Sequence, residues 1–495
     1  MALDLDIAPG RSSSRDRFLA AYPAYAGTSA LDALRAADYA RLDDSQSVYL
    51  DFTGAGLPAA SHMREHTEQL ANAVFGNPHS ASPSSSAATA AVERTRARVL
   101  DWFNGAGAYT CVFTLNASNA LKLVGEAYPF APGGRYLLTT DNHNSVNGIR
   151  EFASAKGAAV DYAPLTVPEL RIDQPTLMAE LGRPGAGPRL FAFPAQSNFS
   201  GVKHPLALVG AAQARGWHVL LDAAAFVPGN RLDLAAVSPD FVVVSFYKMF
   251  GYPTGVGCLL IRNDVLPWLE RPWFAGGTVN FASVLDRRHV LAPREAAFED
   301  GTLNFLAIPA VEIGLRRLAE LGMETIQTRI GCLTDWLLGR LLELRHGNGR
   351  PMVRLYGPAT CEMRGGTVTM NFYDPDGHLL DYRRIDELAG AQGISLRTGC
   401  FCNPGAGETA EGLTEDDMRA ADALGPDLTL PRFLTVVQHR GKSAGAIRVS
   451  LGAVSNFADV ERFLDFAAGF RDQTALAVGA VSFDIETCRV IRDGG

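Results

Sequence analysis

The chain is predicted to be an α/β protein with a large, mainly parallel-sheet domain and a smaller α+β domain. Two observations support this fold class. From about residue 48 to about residue 305, short apolar runs alternate with helix-like segments, the pattern of a parallel sheet wrapped by helices. After a long helical stretch, the remaining chain has few strand-like runs and one closing helix, as expected of a smaller α+β unit.

The first domain boundaries follow from this alternation. Residues 1–46 are predicted to be an N-terminal segment that becomes helical at 30–41, and 47–305 the large domain. Residues 48–56 are predicted to be a strand followed by a tight turn. The later strands of this domain are expected at 111–115, 135–140, 190–194, 219–222 and 240–245, and its helices at 119–128, 148–155 and 206–215.

Residues 306–495 are expected to hold a linking helix and the small domain, to which part of the N-terminal segment also belongs. A continuous helical stretch is predicted over 307–345. The clearest strands are expected at 367–372 and 446–451, followed by a helix over 457–470. The Pro- and Gly-interrupted stretch 425–444 is predicted to be a surface excursion, and the tail 481–495 is strand-like.

Composition excludes several classes of protein. A net charge of −8 argues against a nucleic-acid partner and against an anionic membrane surface. No apolar run is long enough to span a membrane and no secretory signal is visible at the N-terminus, so a cytoplasmic protein is expected. The seven cysteines are scattered and lack zinc-ribbon or ferredoxin spacing, so neither disulfides nor a metal site is expected.

Lys248 and Asp222 each come at the end of an apolar strand. Because ligands of parallel sheets bind beyond the carboxyl ends of the strands, the two side chains are expected to face one pocket. An ammonium in a partly apolar site has a depressed pKa, and its neutral amine can attack a carbonyl. Such a pair suits pyridoxal 5′-phosphate (PLP), since the lysine forms a Schiff base and the aspartate keeps the pyridine nitrogen protonated. The alternatives are a solvated strand end and a helix cap.

Polar loops follow three other predicted strands. Residues 116–119 lead into a helix, where N–H groups and the Ser118 hydroxyl suit a phosphate, and Ser245 adds a second hydroxyl. His143 lies in a loop from which it can stack on a flat cofactor, and the amides of 195–201 can bond a phenolate oxygen. Taken singly, these loops are explained as well by helix capping, a surface histidine and a turn.

Six segments together resemble a known family, and they lie at 193–203, 221–225, 245–255, 276–279, 298–302 and 397–405. They occur in order between about residue 48 and about residue 470. The chain resembles class V of the fold-type I PLP enzymes, the group of cysteine desulfurases and selenocysteine lyases. It is most similar to the aminotransferase-like domain of molybdenum cofactor sulfurases. The resemblance implies a PLP-dependent transferase or lyase with this fold.

The resemblance also implies roles by position. Lys248 matches the Schiff-base lysine, Asp222 the partner of the pyridinium nitrogen, and His143 the histidine that stacks on the ring and serves as acid or base. Asn198 matches the amide on the phenolic oxygen. The further cofactor contacts that the resemblance implies are Ser118, Asn119, Ser245 and Tyr247.

Substrate and subunit contacts are implied in the same way. Arg448 matches the arginine that pairs with the substrate carboxylate through two parallel hydrogen bonds, and Arg397 is expected at the same mouth. Thr302 matches a threonine that reaches the phosphate from the other subunit. A homodimer with shared active sites is therefore implied.

Cys402 comes five residues after Arg397, where cysteine desulfurases carry their nucleophile. A thiolate at this position attacks the sulfur of the substrate, a persulfide forms and alanine leaves, and nearby cations favour the thiolate. The glycine-bearing loop is expected to expose both Cys400 and Cys402. The alternative is a structural thiol in a loop that only orders the substrate.

The match is not complete. Tyr247 replaces a histidine of many desulfurases and Ala225 replaces a glutamine, both in the manner of the sulfurases. Residues 405–410 lack the third cysteine of eukaryotic sulfurases, and 495 residues are too few for the C-terminal domain of the full-length proteins. Delivery of sulfur to a molybdenum cofactor is left open.

Three functional hypotheses follow. The first is a homodimeric PLP enzyme that cleaves the C–S bond of L-cysteine or a cysteine-like amino acid, with Cys402 as sulfur acceptor. The second keeps PLP, Lys248 and Arg448 but not a catalytic Cys402, giving a biosynthetic lyase, decarboxylase, epimerase or carbon–carbon bond-forming enzyme. The third is a catalytically idle scaffold, and the presence of Lys248, Asp222 and His143 argues against it.

Overall fold

The structure, a computed structural model, describes residues 13–427, 429, 432–433, 436–437, 442–474, 482–484 and 489–491. It confirms the α/β prediction, because seven strands form one mainly parallel sheet with helices packed on it. A separate four-stranded antiparallel sheet belongs to the C-terminal half of the chain.

The described residues contain strands β1 (Val48–Tyr49), β2 (Tyr109–Thr114), β3 (Arg135–Thr139), β4 (Ala159–Ala163), β5 (Leu165–Thr166), β6 (Arg171–Ile172), β7 (Arg189–Pro194), β8 (His218–Asp222), β9 (Phe241–Ser245), β10 (Gly257–Arg262), β11 (Val279–Ala282), β12 (His289–Leu291), β13 (Val353–Tyr356), β14 (Thr367–Phe372), β15 (Ile394–Ser395), β16 (Arg397–Gly399), β17 (Ala446–Ser450), β18 (Ser482–Asp484) and β19 (Arg489–Ile491).

The α-helices of the described residues are α1 (Ser14–Ala21), α2 (Ser29–Asp38), α3 (Ala40–Asp44), α4 (Ala60–Asn72), α5 (Pro83–Trp102), α6 (Ala117–Ala127), α7 (Asn144–Asn147), α8 (Ile149–Ala155), α9 (Gln174–Gly182), α10 (Leu208–Gln213), α11 (Leu234–Val237), α12 (Phe246–Phe250), α13 (Pro309–Leu321), α14 (Met323–Glu343), α15 (Tyr382–Ala391), α16 (Pro404–Glu411), α17 (Glu415–Asp422) and α18 (Phe457–Ala468). Short 3₁₀ helices cover Pro23–Thr28, Leu266–Trp268, Arg294–Ala297 and Gly425–Asp427.

The large sheet has the strand order β2-β10-β9-β8-β7-β3-β4. β10 is antiparallel to both of its neighbours, and the other adjacent strands are parallel. Strands β2, β9, β8, β7 and β3 therefore all end at the same edge of the sheet. This carboxyl edge is where ligands of such sheets bind, and the loops with the predicted site residues follow these strands.

Six strands of the large sheet are buried on both faces, which is why they are largely apolar runs in the sequence, whereas the edge strand β4 is mostly exposed or half-buried. All residues of β9 are buried. Its side chains alternate between two hydrophobic cores, with Val242 and Val244 in one and Phe241 and Val243 in the other. β9 is thus a rigid support for the segment that follows it.

The four-stranded sheet has the order β13-β14-β17-β16, and the N-terminal segment is attached to it. β1 pairs in parallel with β15, and Asp51 forms a bridge with Ser450 at the end of β17. The chain near residue 51 therefore pairs with strands of the small domain before it continues into the large sheet. This attachment places Asp51 beside β17.

Some predicted elements differ from the structure. The single helix expected over 307–345 is two helices, α13 and α14, because Gly322 between them has a φ of 76° that ends the first one. The antiparallel strand β10 was not predicted from its apolar sequence. Nine of the twenty residues 425–444 lie outside the described residues, and the tail contributes the antiparallel pair β18 and β19.

Within the described ranges, no helix is both long enough and apolar enough to cross a bilayer.

Candidate active site

Lys248 lies in the short helix α12, which begins directly after β9. The helix ends at Gly251, whose φ of 78° is in the left-handed region. A Cβ at this position would collide with the backbone of Leu57 and Pro58, so only glycine fits the turn. The tight strand–helix–turn segment holds the lysine at the carboxyl edge of the sheet.

Lys248 lines a cavity of about 260 Å³ at this edge. Seven of the predicted site residues line the same cavity: Ser118, His143, Asn198, Asp222, Ser245, Tyr247 and Lys248. The sequence did not single out Ser145, Gln196 and Ala224, which complete much of the wall. The structure therefore brings together side chains from the ends of five separate segments.

The environment of Lys248 favours its neutral form. Burial lowers the pKa of its ammonium, Asp222 opposes this effect, and the positive charge of Arg448 adds to it. A neutral amine is the form that attacks a carbonyl carbon. The lysine is thus suited to a covalent role at the floor of the cavity.

Asp222 ends β8 and is buried beside Lys248. Its Oδ1 accepts a hydrogen bond from the Ala224 N–H at 3.0 Å, which fixes the orientation of the carboxylate. A buried carboxylate stabilises a proton or a cation placed against it. Asp222 can therefore hold a protonated ring nitrogen in the cavity.

His143 is the N-cap of α7 and is half-buried. Its Nδ1 accepts a hydrogen bond from the Ser145 N–H at 3.1 Å, so the neutral ring carries its proton on Nε2. Burial lowers the pKa of His143, with Lys248 adding to the effect and Asp222 opposing it. The imidazole is consequently neutral at pH 7 and can either donate or accept a proton.

Hydroxyl groups gather at the N-terminus of α6. The Ser118 and Ser145 oxygens are 2.6 Å apart, and Ser245 Oγ accepts a hydrogen bond from the Ala117 N–H at 2.9 Å. The positive end of the helix and these hydroxyls form a suitable phosphate site. Asn119 does not line the cavity, and its Oδ1 accepts a hydrogen bond from the Leu115 N–H at 3.3 Å.

Arg448 on β17 reaches the cavity rim from the small sheet. Its Nη1 donates to the Asn198 carbonyl oxygen at 2.9 Å, and its guanidinium lies 4.8 Å from the centre of the Phe401 ring. Burial lowers the pKa of Arg448, and Asp51 opposes the change. The arginine is a buried cation held next to the cavity wall at Asn198.

The structure adds a residue that the sequence did not single out, Asp51. Its Oδ1 accepts from Arg448 Nη2 at 2.8 Å, and its Oδ2 accepts from Arg397 Nε at 2.9 Å and Nη2 at 2.5 Å. The carboxylate is buried, whereas Arg397 is half-exposed. One buried carboxylate therefore holds both arginines that were expected to meet the substrate.

The Cys402 loop is hydrogen-bonded to the large domain. The Cys402 carbonyl accepts from the Asn144 N–H at 2.7 Å, next to His143, and Asn403 Nδ2 donates to Asn198 Oδ1 at 2.8 Å. Cys402 itself has a φ of 54° and is exposed, as expected, whereas Cys400 is partly buried. The loop lies beside the cavity with its thiol at the surface.

Tyr247 and Thr302 are the two remaining predicted cofactor contacts. The Tyr247 carbonyl accepts a hydrogen bond from the Gly56 N–H at 3.0 Å, and burial raises the pKa of its half-buried phenol. Thr302 is exposed and does not line the cavity of its own chain. A role for Thr302 in this cavity would require a second copy of the chain.

A family model, aminotransferase class-V, matches residues 48–463. A molybdenum cofactor sulfurase of Solanum lycopersicum is 37% identical over 494 residues, which cover 92% of this chain and 59% of the relative. That of Homo sapiens is 36% identical over 469 residues, covering 89% of this chain and 51% of the relative. The chain thus spans between about half and three fifths of the length of these curated relatives.

Solved structures are similar as well. The apo cysteine desulfurase of Thermococcus onnurineus NA1 aligns with a TM-score of 0.72 at 22% identity, over 89% of this chain and 97% of that one. The cysteine desulfurase CsdA of Escherichia coli aligns with a TM-score of 0.67 at 21% identity, over 91% of this chain and 99% of that one. These likenesses confirm the fold that the sequence resemblance implied.

Proposed function

Because the chain belongs to the aminotransferase class-V family, we propose that it is a PLP-dependent enzyme that cleaves the C–S bond of L-cysteine or a cysteine-like amino acid. One observation carries this proposal: Lys248, Asp222 and His143 face the same cavity, and the Cys402 loop is hydrogen-bonded beside it. The similarity to molybdenum cofactor sulfurases supports sulfur chemistry in particular.

The residues of the cavity fit PLP. The amine of Lys248 suits the aldehyde, the buried Asp222 suits the pyridine nitrogen, and the hydroxyls of Ser118 and Ser145 at the start of α6 suit the phosphate. The Asn198 side chain lies on the same wall as a partner for the phenolic oxygen. Each polar group of the cofactor thus has a chemically matching side chain.

When bound, PLP supplies an electron sink for the charge that builds on the amino acid as its bonds break. Asp222 holds the proton of the ring nitrogen on which that sink depends. His143, neutral and with its proton on Nε2, and Lys248, whose pKa burial lowers, are the groups that can hold or move a proton at the substrate carbon atoms.

Arg448 and Arg397 are proposed to bind the substrate carboxylate. Asp51 neutralises part of their combined charge and fixes the direction of both guanidiniums. Two cations with one shared anion leave a net charge of about +1, which suits a single carboxylate. The half-exposed position of Arg397 gives the substrate a way to approach this cluster.

Cys402 is proposed to accept the sulfur. Its thiolate forms an S–S bond with the substrate sulfur as the substrate C–S bond breaks, and the carbon atom then takes up a proton. The balance is L-cysteine plus the Cys402 thiol giving L-alanine plus a Cys402 persulfide. The hydrogen bond with Asp51 is the main cause that raises the pKa of Arg397, and a smaller contribution comes from Cys402, so cation and thiol are electrostatic neighbours.

The reaction is tested by incubating PLP-loaded protein with L-cysteine and a reductant and measuring alanine and sulfide. Equal amounts of both products are expected. Cys402→Ala is expected to abolish sulfide release while leaving the visible absorbance of bound PLP intact, and Lys248→Ala to change that absorbance. Full-rate turnover by Cys402→Ala would contradict the persulfide proposal and favour the lyase or decarboxylase hypothesis. Absence of any PLP binding would contradict the proposal that the protein is a PLP enzyme.

The enzyme is further proposed to act as a homodimer in which Thr302 of one copy contacts the phosphate bound by the other. Two features support this. Thr302 is exposed in its own chain, and the hairpin β11–β12 places Val284 and Leu285, 92% and 96% exposed, at its tip. Large apolar side chains with this exposure are typical of surfaces that a partner covers.

A further inference from the structure

A second cavity, of about 290 Å³, adjoins the candidate active site. The two cavities share Gln196, Ala225 and Lys248. The remaining wall of the second one comes from the N-terminal segment, other parts of the large domain, α13, α14 and the small domain. Protein interiors hold few voids larger than a water molecule, so a cavity of this size indicates a ligand site.

The wall of the second cavity is largely apolar. Leu57, Phe250, Leu318, Ile330 and Val454 contribute to it from five different parts of the chain. Burial of an apolar molecule against such a wall is favourable in proportion to the area removed from water. The cavity therefore suits a ligand with an apolar body.

Two cations of this wall come from neighbouring backbone segments. Val202 and Arg364 form a bridge between the two domains, and the Lys203 N–H donates to the Met363 carbonyl at 2.9 Å. This pairing brings the backbone at residue 203 beside the backbone at residue 364, and both residues line the cavity.

Neither of these cations forms an ion pair with a described residue, although the more distant Glu169 carboxylate and the Cys361 thiol act on the charge of Arg364. Among the described residues, no carboxylate lies within 4.0 Å of Lys203 or Arg364. The hydrogen bond of Lys203 Nζ goes to the neutral Asn230 Oδ1 at 3.5 Å, and the guanidinium of Arg364 donates to the carbonyls of Pro358 and Thr367. A charge in a mostly apolar wall is costly unless an anion meets it.

Two other titratable groups of the wall, Arg317 and His62, do not supply unpaired charge. Arg317 is paired with Asp38 at 3.6 Å and Glu65 at 3.5 Å. Burial lowers the pKa of His62 to about 4, so its ring is neutral at pH 7. Burial also lowers the pKa of Lys203, as expected of an ammonium without a counter-ion.

We propose that this second cavity binds a small amphipathic anion, with an apolar body and one carboxylate, sulfonate or phosphate group that Lys203 and Arg364 hold. The proposal is independent of the reaction proposed above, since it rests on residues that the reaction does not use. Because the ligand would lie against Lys248 and Gln196, it would occupy space directly beside the candidate active site.

The test is calorimetric titration of the PLP-loaded protein with octanoate and, separately, with 1-octanol as its uncharged counterpart. Saturable binding of one octanoate per chain is expected, with 1-octanol at least about tenfold weaker, since a charge-assisted hydrogen bond contributes about that factor. Lys203→Met is expected to weaken octanoate about tenfold and to leave 1-octanol unchanged. Lys203→Arg retains the charge and is expected to retain binding.

Two variants complete the test. Lys122→Met removes a lysine that is exposed and paired with Glu126, and it is expected to leave octanoate binding unchanged. Gly331 lies on α14 in the cavity wall, and a Cβ there meets no atom within 4 Å, so Gly331→Leu is expected to fill the space and abolish binding. Leucine favours the helix over glycine, and circular dichroism checks the fold.

Saturable octanoate binding that Lys203→Met weakens and Gly331→Leu abolishes would support the proposal. Three results would overturn it: no saturable octanoate binding at millimolar concentration, equal binding of octanoate and 1-octanol, or binding that both variants leave unchanged. The sulfide assay with L-cysteine separates these outcomes from a failure of the proposed reaction. The Lys203→Met variant is expected to release sulfide as the original protein does.

Discussion

Asp51 is a single buried carboxylate on which two arginines depend. Arg448 is 3% exposed at its side chain, so removal of its anionic partner leaves a guanidinium charge in the interior. Arg397 is half-exposed, so its guanidinium loses much less stabilisation when Asp51 is removed, because water screens a charge at the surface. The cost of losing Asp51 is therefore expected to fall mainly on Arg448.

Asp51→Asn is accordingly expected to lower the free energy of unfolding of the cofactor-free protein by about 3 kcal/mol, as for the loss of one partner of a buried ion pair. It is also expected to raise the KM for L-cysteine, because the guanidiniums lose their fixed direction. Urea unfolding and initial rates measure the two effects. Glu151→Gln breaks the exposed pair with Arg150 and serves as control, with a change below about 0.5 kcal/mol. Equal losses for the two variants would contradict the role of Asp51.

Lys248 and Asp222 could be predicted from the sequence, whereas Asp51 could not, because only the first two are marked by a local pattern. Lys248 and Asp222 each end an apolar strand, so the chain itself shows that they lie at one sheet edge. Asp51 acts through partners 346 and 397 residues away, and no local pattern reports such a contact. The sequence shows only that Asp51 is a carboxylate in the first predicted strand-and-turn segment, and this does not identify its two arginine partners.

At the scale of elements, strands buried on both faces were predicted well, because continuous apolar runs have few other structural explanations. The break at Gly322 was missed, since a glycine inside a helical pattern is often tolerated. β10 was missed because an apolar run alone does not show the direction of a strand. The segment 246–251 was predicted only as a strand end, although the close approach of Leu57 requires Gly251.

The helix α4 carries His62, which makes the packing of that helix pH-dependent. Its Nε2 lies 2.7 Å from the Ala310 carbonyl of α13, and burial lowers its pKa from 6.5 to about 4. The folded pKa lies below the unfolded one, so the unfolded state binds more protons between these values. The stability that His62 contributes is present above pH 6.5 and is lost as the pH falls toward 4.

Between pH 7 and pH 4.5, the cofactor-free protein is therefore expected to lose about 2 kcal/mol more unfolding free energy than the His62→Gln variant. Glutamine keeps an N–H donor for the Ala310 carbonyl but does not titrate. Urea unfolding at both pH values measures the difference. His289→Gln, at an exposed position, is expected to behave as the original protein. A His62→Gln variant with unchanged pH dependence would refute this assignment.

At the scale of the whole molecule, the exposed hairpin β11–β12 determines the expected assembly. Leu285→Glu is expected to convert a dimer into a monomer and to weaken PLP retention, because the contact of Thr302 with the neighbouring site is lost. Light scattering coupled to size exclusion measures the mass, and dialysis followed by absorbance measures retention. Leu342→Glu changes an exposed leucine of α14 and is expected to remain dimeric. A dimeric Leu285→Glu protein would place the interface elsewhere.

The way in which the Cys402 loop is held has a consequence for protein engineering. Its anchoring contacts use the backbone carbonyl of residue 402 and the side chain of Asn403, so the loop does not depend on the sulfur atom. The reactive group and its scaffold are therefore separable. Position 402 can be varied with the loop kept in place among residues that accept its φ of 54°, such as asparagine, aspartate and histidine, which makes it the natural starting point for redirecting the enzyme toward other nucleophiles.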